Sequence, residues 1–345
     1  MSKTAKNTNL QSAKREKNDE FYTQLTDIER ECNHYWEHFR GKTILCNCDD
    51  PRVSNFFRHF FLSFHLLGLK KLIAVCYKNL NPDLFSQHKD EQAVYCVYDS
   101  KDRVNDQFED YDVFIKQNEW GVLKGDGDFR SEECIELLKQ ADIVVTNPPF
   151  SLFKEYVAQL IEYDKKFLII GNMNAITYKE IFPLIKDNKM WVGINNGAKQ
   201  YAVPEDYAGT FLDKHGKRMK QMGNTMWFTN LDHKQRHEPL RLGWRYLPEK
   251  YPKYENYNAI EVSKTSEIPL PETYNGIMGV PVSFLEKYNP DQFEIIGADY
   301  DVKQGLLPEL VNPNWKGKLD RGYIDNERLY ARIFIRHKRG YKNEN

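Results

Sequence analysis

The sequence predicts an α/β protein built on an open, doubly wound, mostly parallel sheet, with an additional region at its C-terminal end. Two observations carry this. Apolar segments without polar alternation, "KTILCNCDDP", "KLIAVCY", "ADIVVTNPPF" and "KKFLIIG", are separated by stretches of helical period, as expected of strands buried on both faces and joined by crossover helices. After about residue 195 that alternation stops. Beyond Asp232 the chain interleaves basic and aromatic residues with scattered prolines, as in "HKQRHEPLRLGWRYLPEKYPKYENY". The expected divisions are a flexible basic N-terminus over 1–16, the sheet domain over 17–232 and a second region over 233–345.

In chain order, "KTILC" reads as a first strand that stops at Asp49-Asp50-Pro51. "VSNFFRHFFLSFHLLGLKK" follows as one largely buried helix, with Ser54 and Asn55 as candidate caps and an end near Gly68. "KLIAVCY" is the second strand. Between residues 79 and 127, "AVYCVY" and "YDVFIK" both look like strands of an insertion or hairpin at the sheet edge. "SEECIELLKQ" has a capping serine and two glutamates in its first turn, where the helix dipole favours them. "ADIVVTNPPF" is a central strand, and "SLFKEYVAQLIEY" a helix with Leu152, Phe153, Tyr156, Val157, Leu160 and Ile161 on one face. "KKFLIIG", the amphipathic "TYKEIFPLIKDN" and "KMWVGIN" continue the pattern. The polar stretch 195–224 and the returning strand "TMWFTNL" are expected as a hairpin of the same sheet with an exposed loop between its arms.

The chain has 345 residues, of which 41% are hydrophobic and 14% aromatic, enough to form a large core, so disorder is not its main state. A formal net charge of −1 neither demands nor excludes a polyanionic partner, because local clusters decide that. Six cysteines occur without paired CxxC spacing, so the expectation is reduced, cytoplasmic thiols and no metal site. The polar, basic start has no apolar core of a signal peptide, and no apolar run is long enough to span a bilayer.

The segment Asn147-Pro148-Pro149-Phe150 interrupts regular structure at the end of a central strand, where doubly wound sheets bind ligands. A strand-ending turn alone would account for two prolines. The flanking residues suggest more. The lone pair of an exocyclic amino group, such as N6 of adenine, is delocalised into the ring and is a poor nucleophile. Two acceptors facing its N–H bonds would draw the nitrogen toward tetrahedral geometry. Asn147 offers a side-chain oxygen, and Pro148 a carbonyl stiffened by the ring of Pro149. Phe150 offers a flat face for a base extruded from a duplex.

Asn-Pro-Pro-Phe in this setting resembles motif IV of S-adenosylmethionine-dependent N6-adenine DNA methyltransferases. "KNDEFYTQLTDIE", "CNCDDPRVSNF", "GDFRSEECIELLKQADIVVTNPPF", "FLIIGNMNAITYKEIFPLI" and "GVPVSFLEKYNPDQFEIIG" together resemble the EcoRI-type adenine-specific family, from about residue 17 almost to the C-terminus. The resemblance implies a Rossmann-like methyltransferase fold, S-adenosylmethionine as cofactor, double-stranded DNA as substrate and a target-recognition role for 233–345. It also implies a restriction-modification or solitary enzyme, with a cognate restriction endonuclease as a possible partner. Asn147 and Pro148 would hold the target amine, with Pro149 stiffening the turn and Phe150 stacking on the base. Asn18, Phe21, Tyr22 and Thr23 would wrap the methionine end of the cofactor, Asp128 and Phe129 would contact its adenine, and Cys48, Asp49 and Asp50 would form the loop at the first strand's end.

The sequence departs from the usual pattern in two places. The loop Cys46 to Pro51 has no glycine, where close backbone approach normally uses one, and Tyr77-Lys78-Asn79 stands where a ribose-binding acid is usual. Plain alternatives remain for several residues. Asp49-Asp50 has a solvated loop or helix cap as its lesser alternative, and Asp128-Phe129 a loop before Ser131. His59 and His65 read as core or surface histidines. The basic stretches 214–220, 233–245 and "RIFIRHKRGYK" read as solvated faces or DNA contacts. Methylation of a protein glutamine and a catalytically inactive nucleic-acid-binding module are the competing functions.

Overall fold

A computed structural model describes residues 22–48, 50–76, 93–99, 110–203, 209–214 and 216–341. The chain divides into two compact units, one of 1–175 with 193–231, the other of 176–192 with 232–345. Residues 176–192, inside the span expected for the sheet domain, thus pack with the second unit.

The first unit begins with β1 (Tyr22–Thr23), α1 (Leu25–Cys32) and α2 (Trp36–Phe39). β2 (Thr43–Asn47) is buried along its whole length. The aromatic stretch after it forms two helices, α3 (Asn55–Leu62) and α4 (Phe64–Leu67), broken at Ser63. Ser54 caps α3 by accepting from the Phe57 amide, and Gly68 ends α4 with the left-handed φ of 57° that glycine adopts at no steric cost. Of the two expected caps, Asn55 instead donates from Nδ2 to the Thr23 carbonyl at 2.7 Å. β3 (Lys71–Val75) and β4 (Val94–Asp99) follow.

"YDVFIK", expected as a strand, is helix α5 (Tyr111–Gln117). Asp110 decides this by accepting from the amides of Asp112 and Val113, which satisfies the helix start, while Tyr111 and Phe114 bury one face. β5 (Gly121–Val122) and α6 (Glu132–Gln140) come next. Ser131 caps α6 by accepting from the Cys134 amide. β6 (Ile143–Thr146), α7 (Phe153–Glu162) and β7 (Lys166–Asn172) complete the βαβ pattern.

The chain then gives α8 (Phe182–Lys186) and β8 (Trp191–Val192) to the second unit. Within 195–224, where a loop between hairpin arms was expected, the described residues form β9 (Lys199–Ala202), β10 (Phe211–Leu212) and β11 (Arg218–Met222). With β1 they make an antiparallel sheet in the order β1-β9-β11-β10. β9 and β11 mix Lys, Gln and Arg with Tyr, Ala and Met without a period of two, so no hydrophobic alternation marked them. β12 (Thr225–Thr229) then pairs antiparallel with β7.

The main sheet of this unit runs β5-β4-β3-β2-β6-β7-β12. β2 is parallel to both β3 and β6, and β6 to β7, while β4, β5 and β12 are antiparallel additions. The chain therefore leaves β2 toward β3 and returns across it to β6. That reversal makes the carboxyl ends of β2 and β6 the switch point where such sheets bind ligands.

In the second unit, β13 (Ile260–Glu261), β14 (Met278–Pro281), β15 (Phe293–Ala298) and β18 (Arg332–His337) form a sheet in the order β13-β14-β18-β15. α9 (Asp299–Lys303) follows β15 directly. β16 (Tyr323–Ile324) and β17 (Glu327–Arg328) form a hairpin. Its turn residues Asp325 and Asn326 both have positive φ, as a two-residue type I′ turn requires. Tyr254, Tyr257, Leu310 and Phe334 lie in the core of this unit.

Candidate active site

Asn147 and Pro148 directly follow β6 and are buried, while Pro149 is half-buried. The Pro149 carbonyl accepts from the Leu152 amide at 3.0 Å, closing a short 3-10 turn over Phe150–Leu152 that leads into α7. Two prolines thus stop the β6 ladder and redirect the chain within one turn. Phe150 is 7% exposed and belongs to the core cluster that contains Phe56, Tyr201 and Trp227.

Asn47, the last residue of β2, ties the neighbouring strand end to this turn. Its carbonyl accepts from the Thr146 hydroxyl and its side-chain oxygen from the Tyr156 hydroxyl. Tyr156 is fully buried, and burial pushes its phenol well above the usual range, so it stays a donor. Phe129 packs edge-on against Tyr156 with ring centroids 5.0 Å apart, and its carbonyl accepts from Gln159 Nε2 at 3.0 Å. One helix, α7, therefore holds the end of β2, the start of the Asn147 turn and the Asp128-Phe129 loop together. The sequence presented Tyr156 only as part of an apolar face. A polar asparagine at the last buried position of an apolar strand was the available signal for Asn47.

Cys48 has a φ of +82°. This positive-φ position is the one a glycine would normally fill, so the glycine-free loop keeps the backbone conformation while lacking the residue. The Asp50 carboxylate is engaged locally, accepting from the Arg52 amide at 2.9 Å and from the Arg52 guanidinium. Asp128 is engaged in the same way by Arg130, through the amide at 2.8 Å and through Nε and Nη2 at 2.9 and 2.7 Å. Those bonds hold its carboxyl below the ordinary range. Arg130 also reaches Glu155 of α7 at 2.7 Å.

Thr23 is 2% exposed, and its hydroxyl has no hydrogen-bond partner among the described residues. Its carbonyl, bound by Asn55, places it at the start of α3, immediately after the 48–54 loop. Asn18, Phe21, Asp49 and the side chain of Tyr22 lie outside the described residues, as do Tyr77-Lys78-Asn79.

Glu31 is a site residue that sequence reading missed. It is fully buried and accepts from the Ile194 amide at 2.8 Å, the Asn195 amide at 2.7 Å, Asn195 Nδ2 at 3.0 Å and the Tyr35 hydroxyl at 3.0 Å. It thereby fixes the turn that leads into β9, the strand paired with β1 and Thr23. A Cβ on Gly193 would come within 2.3 Å of Glu31 Oε1 and 2.6 Å of Trp227 Cβ, so only glycine fits there. A buried acid inside an otherwise ordinary amphipathic helix was the only trace of this in the sequence.

Among the described residues no group of three or more His, Cys, Asp or Glu side chains could hold a metal ion, and no helix is long and apolar enough to cross a membrane. Cys32, Cys46, Cys96 and Cys134 are buried, and Cys48 and Cys76 are half-buried.

The family described as "Adenine-specific methyltransferase EcoRI" matches residues 9–338. The chain is 48% identical over 337 residues to the type II methyltransferase M.EcoRI of Escherichia coli, a match covering 95% of this chain and 99% of that protein. It is 40% identical over 336 residues to type II methyltransferase M.MpnI of Mycoplasma pneumoniae, covering 94% and 96% of the two chains. Type II methyltransferase M.MgeORF184P of Mycoplasma genitalium is 37% identical over 337 residues, covering 94% and 97%. No solved structure gives a significant match. With a switch-point site on a mixed sheet whose central strands are parallel, and a family match across nearly its whole length, the chain belongs to the EcoRI adenine-specific methyltransferase family and is an adenine-specific methyltransferase.

Proposed function

We propose that the protein methylates the exocyclic N6 of adenine in double-stranded DNA at a specific sequence, using S-adenosylmethionine. The observation that carries this reading is the junction of β2 and β6, where Thr146 and Tyr156 tie Asn47 to the turn holding Asn147 and Pro148. That junction supports a reading in which Asn147 and Pro148 offer a pair of carbonyl-type acceptors at the sheet's ligand-binding edge.

In this reading Asn147 Oδ1 and the Pro148 carbonyl accept the two N–H bonds of the target amine and localise its lone pair. Neither group is a base, so the site acts through orientation and electrostatics. Phe150 provides the face against which the extruded adenine rests, and the following helix keeps the turn stiff. The residues present also fit the methyl donor. The buried hydroxyl of Thr23 has no hydrogen-bond partner among the described residues, which supports a polar ligand there, and the positive φ of Cys48 allows close backbone approach. When bound, S-adenosylmethionine supplies an electrophilic methyl group. Tyr22, Thr23, Cys48, Asp50, Asp128 and Phe129 would line its site, with Asn18, Phe21 and Asp49 extending it. The second unit supplies the target recognition, and a cognate endonuclease would act on the same sequence.

Incubation with labelled S-adenosylmethionine and duplex DNA tests this, with label recovered as N6-methyladenine as the expected result. Label appearing in protein glutamine, uncompeted by duplex DNA, would refute it.

A further inference from the structure

We infer that the irregular segment 238–250 of the second unit is a docking surface for the phosphate backbone of duplex DNA, with Arg241 and Arg245 as the cations that meet phosphates. The inference rests on the DNA-methylation reading above and names the surface that such a substrate would use.

Three basic stretches compete for this role in the sequence, and the contacts of several of their arginines and histidines set those residues apart. In the C-terminal stretch Arg332 grips Glu261 through Nε and Nη2, Arg336 pairs with Glu294 at 2.7 Å, and His337 Nε2 bonds the Pro269 carbonyl at 2.8 Å. In 214–220, Arg218 donates to Thr210 Oγ1 at 2.8 Å. At 233–237, Arg236 lies 4.0 Å over the Trp191 ring, pairs with Asp232 and donates to Asn188, while His237 is held between Asp232 and Asp291. Arg241 and Arg245 differ from these. Both are exposed, and among the described residues neither has an ion pair.

The backbone that carries them is pinned at several points. Gln292, fully buried, accepts from the Leu240 amide at 2.8 Å and donates to the Leu240 carbonyl at 2.9 Å. Past the arginines' midpoint, the Trp244 carbonyl accepts from the Leu270 amide at 2.7 Å, and the Tyr246 amide donates to Thr273 Oγ1 at 3.0 Å. Leu242 is turned inward at 4% exposure. The segment is thus fixed before any ligand arrives, which lowers the entropic cost of binding. Between the arginines, Trp244 is 45% exposed, with Lys250 Nζ 3.1 Å from its ring centroid, so a third cation is held at the same place.

Glu238 and Glu249 lie toward the two ends of the segment, leaving the positive charge concentrated at 241–245. Four residues of chain span at most about 14 Å, or about four base-pair steps of DNA. Both guanidinium groups therefore fall within one short run of phosphates, which their planar forks suit.

The test is the salt dependence of binding to a long random-sequence duplex by the full chain, by Arg241→Gln/Arg245→Gln and by Arg241→Lys/Arg245→Lys. Loss of two phosphate contacts is expected to reduce the slope of log affinity against log salt by about 1.8. Across a fourfold rise in salt, the unaltered protein would lose about 12-fold more affinity than the glutamine variant. The lysine variant restores the slope, and S-adenosylmethionine affinity stays the same in all three. An unchanged slope in the glutamine variant, in a protein whose unaltered form methylates DNA, overturns this surface alone. Absence of methyl transfer to DNA by the unaltered protein overturns the reading beneath it.

Discussion

Tyr156 joins more of the site than any residue of the Asn147 turn itself. Its hydroxyl serves Asn47, its ring serves Phe129, and its helix follows Phe150 directly. Tyr156→Phe removes the donor and leaves the Asn47 side-chain oxygen buried without it, a loss of about 1–3 kcal/mol. Urea denaturation should show that loss, and S-adenosylmethionine affinity should fall with it, since Asn47 leads into the loop proposed to hold the cofactor. Cys48 offers a sharper contrast. At φ +82° a glycine is unstrained and a β-branched residue is not. Cys48→Gly should therefore keep stability within about 1 kcal/mol, while Cys48→Val loses about 2 kcal/mol or more. Equal denaturation midpoints for the two would contradict the assigned backbone role.

At the scale of elements, local caps decide what the hydrophobic pattern leaves ambiguous. Asp110→Ala deletes the acceptor for the Asp112 and Val113 amides and should cost about 1 kcal/mol, read as faster amide exchange in α5. Glu31 acts at longer range. Glu31→Ala strips the Ile194 and Asn195 amides of a charged acceptor, and a loss of about 3 kcal/mol is expected, with weaker S-adenosylmethionine binding because β9 no longer holds β1 in place. Full retention of both properties would show that the turn holds itself.

These same elements show what was legible in the sequence. β2, β3, β6 and β7 announced themselves because burial on both faces leaves an uninterrupted apolar run, and α6 because Ser131 and two glutamates mark its start. α5 was misread because Tyr111, Val113 and Ile115 happen to alternate, and the cap at Asp110 outweighs that alternation. β9 and β11 were invisible because Lys, Gln and Arg break up their apolar residues without a period of two, and the pairing of β9 with β1 spans about 180 positions of sequence. Asn147 to Phe150 could be located from the prolines alone. The tie from Asn47 to Tyr156 could not, because it links residues 109 positions apart.

For the molecule as a whole, the two units differ in how acid should affect them. Asp299 in the second unit is 2% exposed, and burial pushes its carboxyl up to about 6. In the unfolded chain it returns to about 3.9, so the folded unit holds its proton between those values. Stability from this group is greatest at low pH and declines as pH rises through 6. From pH 5 to pH 7 the loss is about 1 kcal/mol. His237, whose pKa is raised by its bonds to Asp291 and Asp232, acts in the same direction and loses its contacts as pH rises further. His337, whose pKa burial lowers, acts in the opposite direction, so the test is the variant: in denaturation at pH 5 and 7, Asp299→Asn should gain about 1 kcal/mol at pH 7 relative to pH 5 when compared with the unaltered protein.

The central claim is that Asn147 and Pro148 hold an adenine amine for methyl transfer, and the comparison of Asn147→Ala with the unaltered protein tests it most directly. Labelled methyl incorporation into duplex DNA is measured beside S-adenosylmethionine binding and DNA binding. The account predicts that transfer falls by two orders of magnitude or more, about 3 kcal/mol of transition-state stabilisation, while both ligands still bind. Methyl transfer to adenine at the unaltered rate by Asn147→Ala would contradict it.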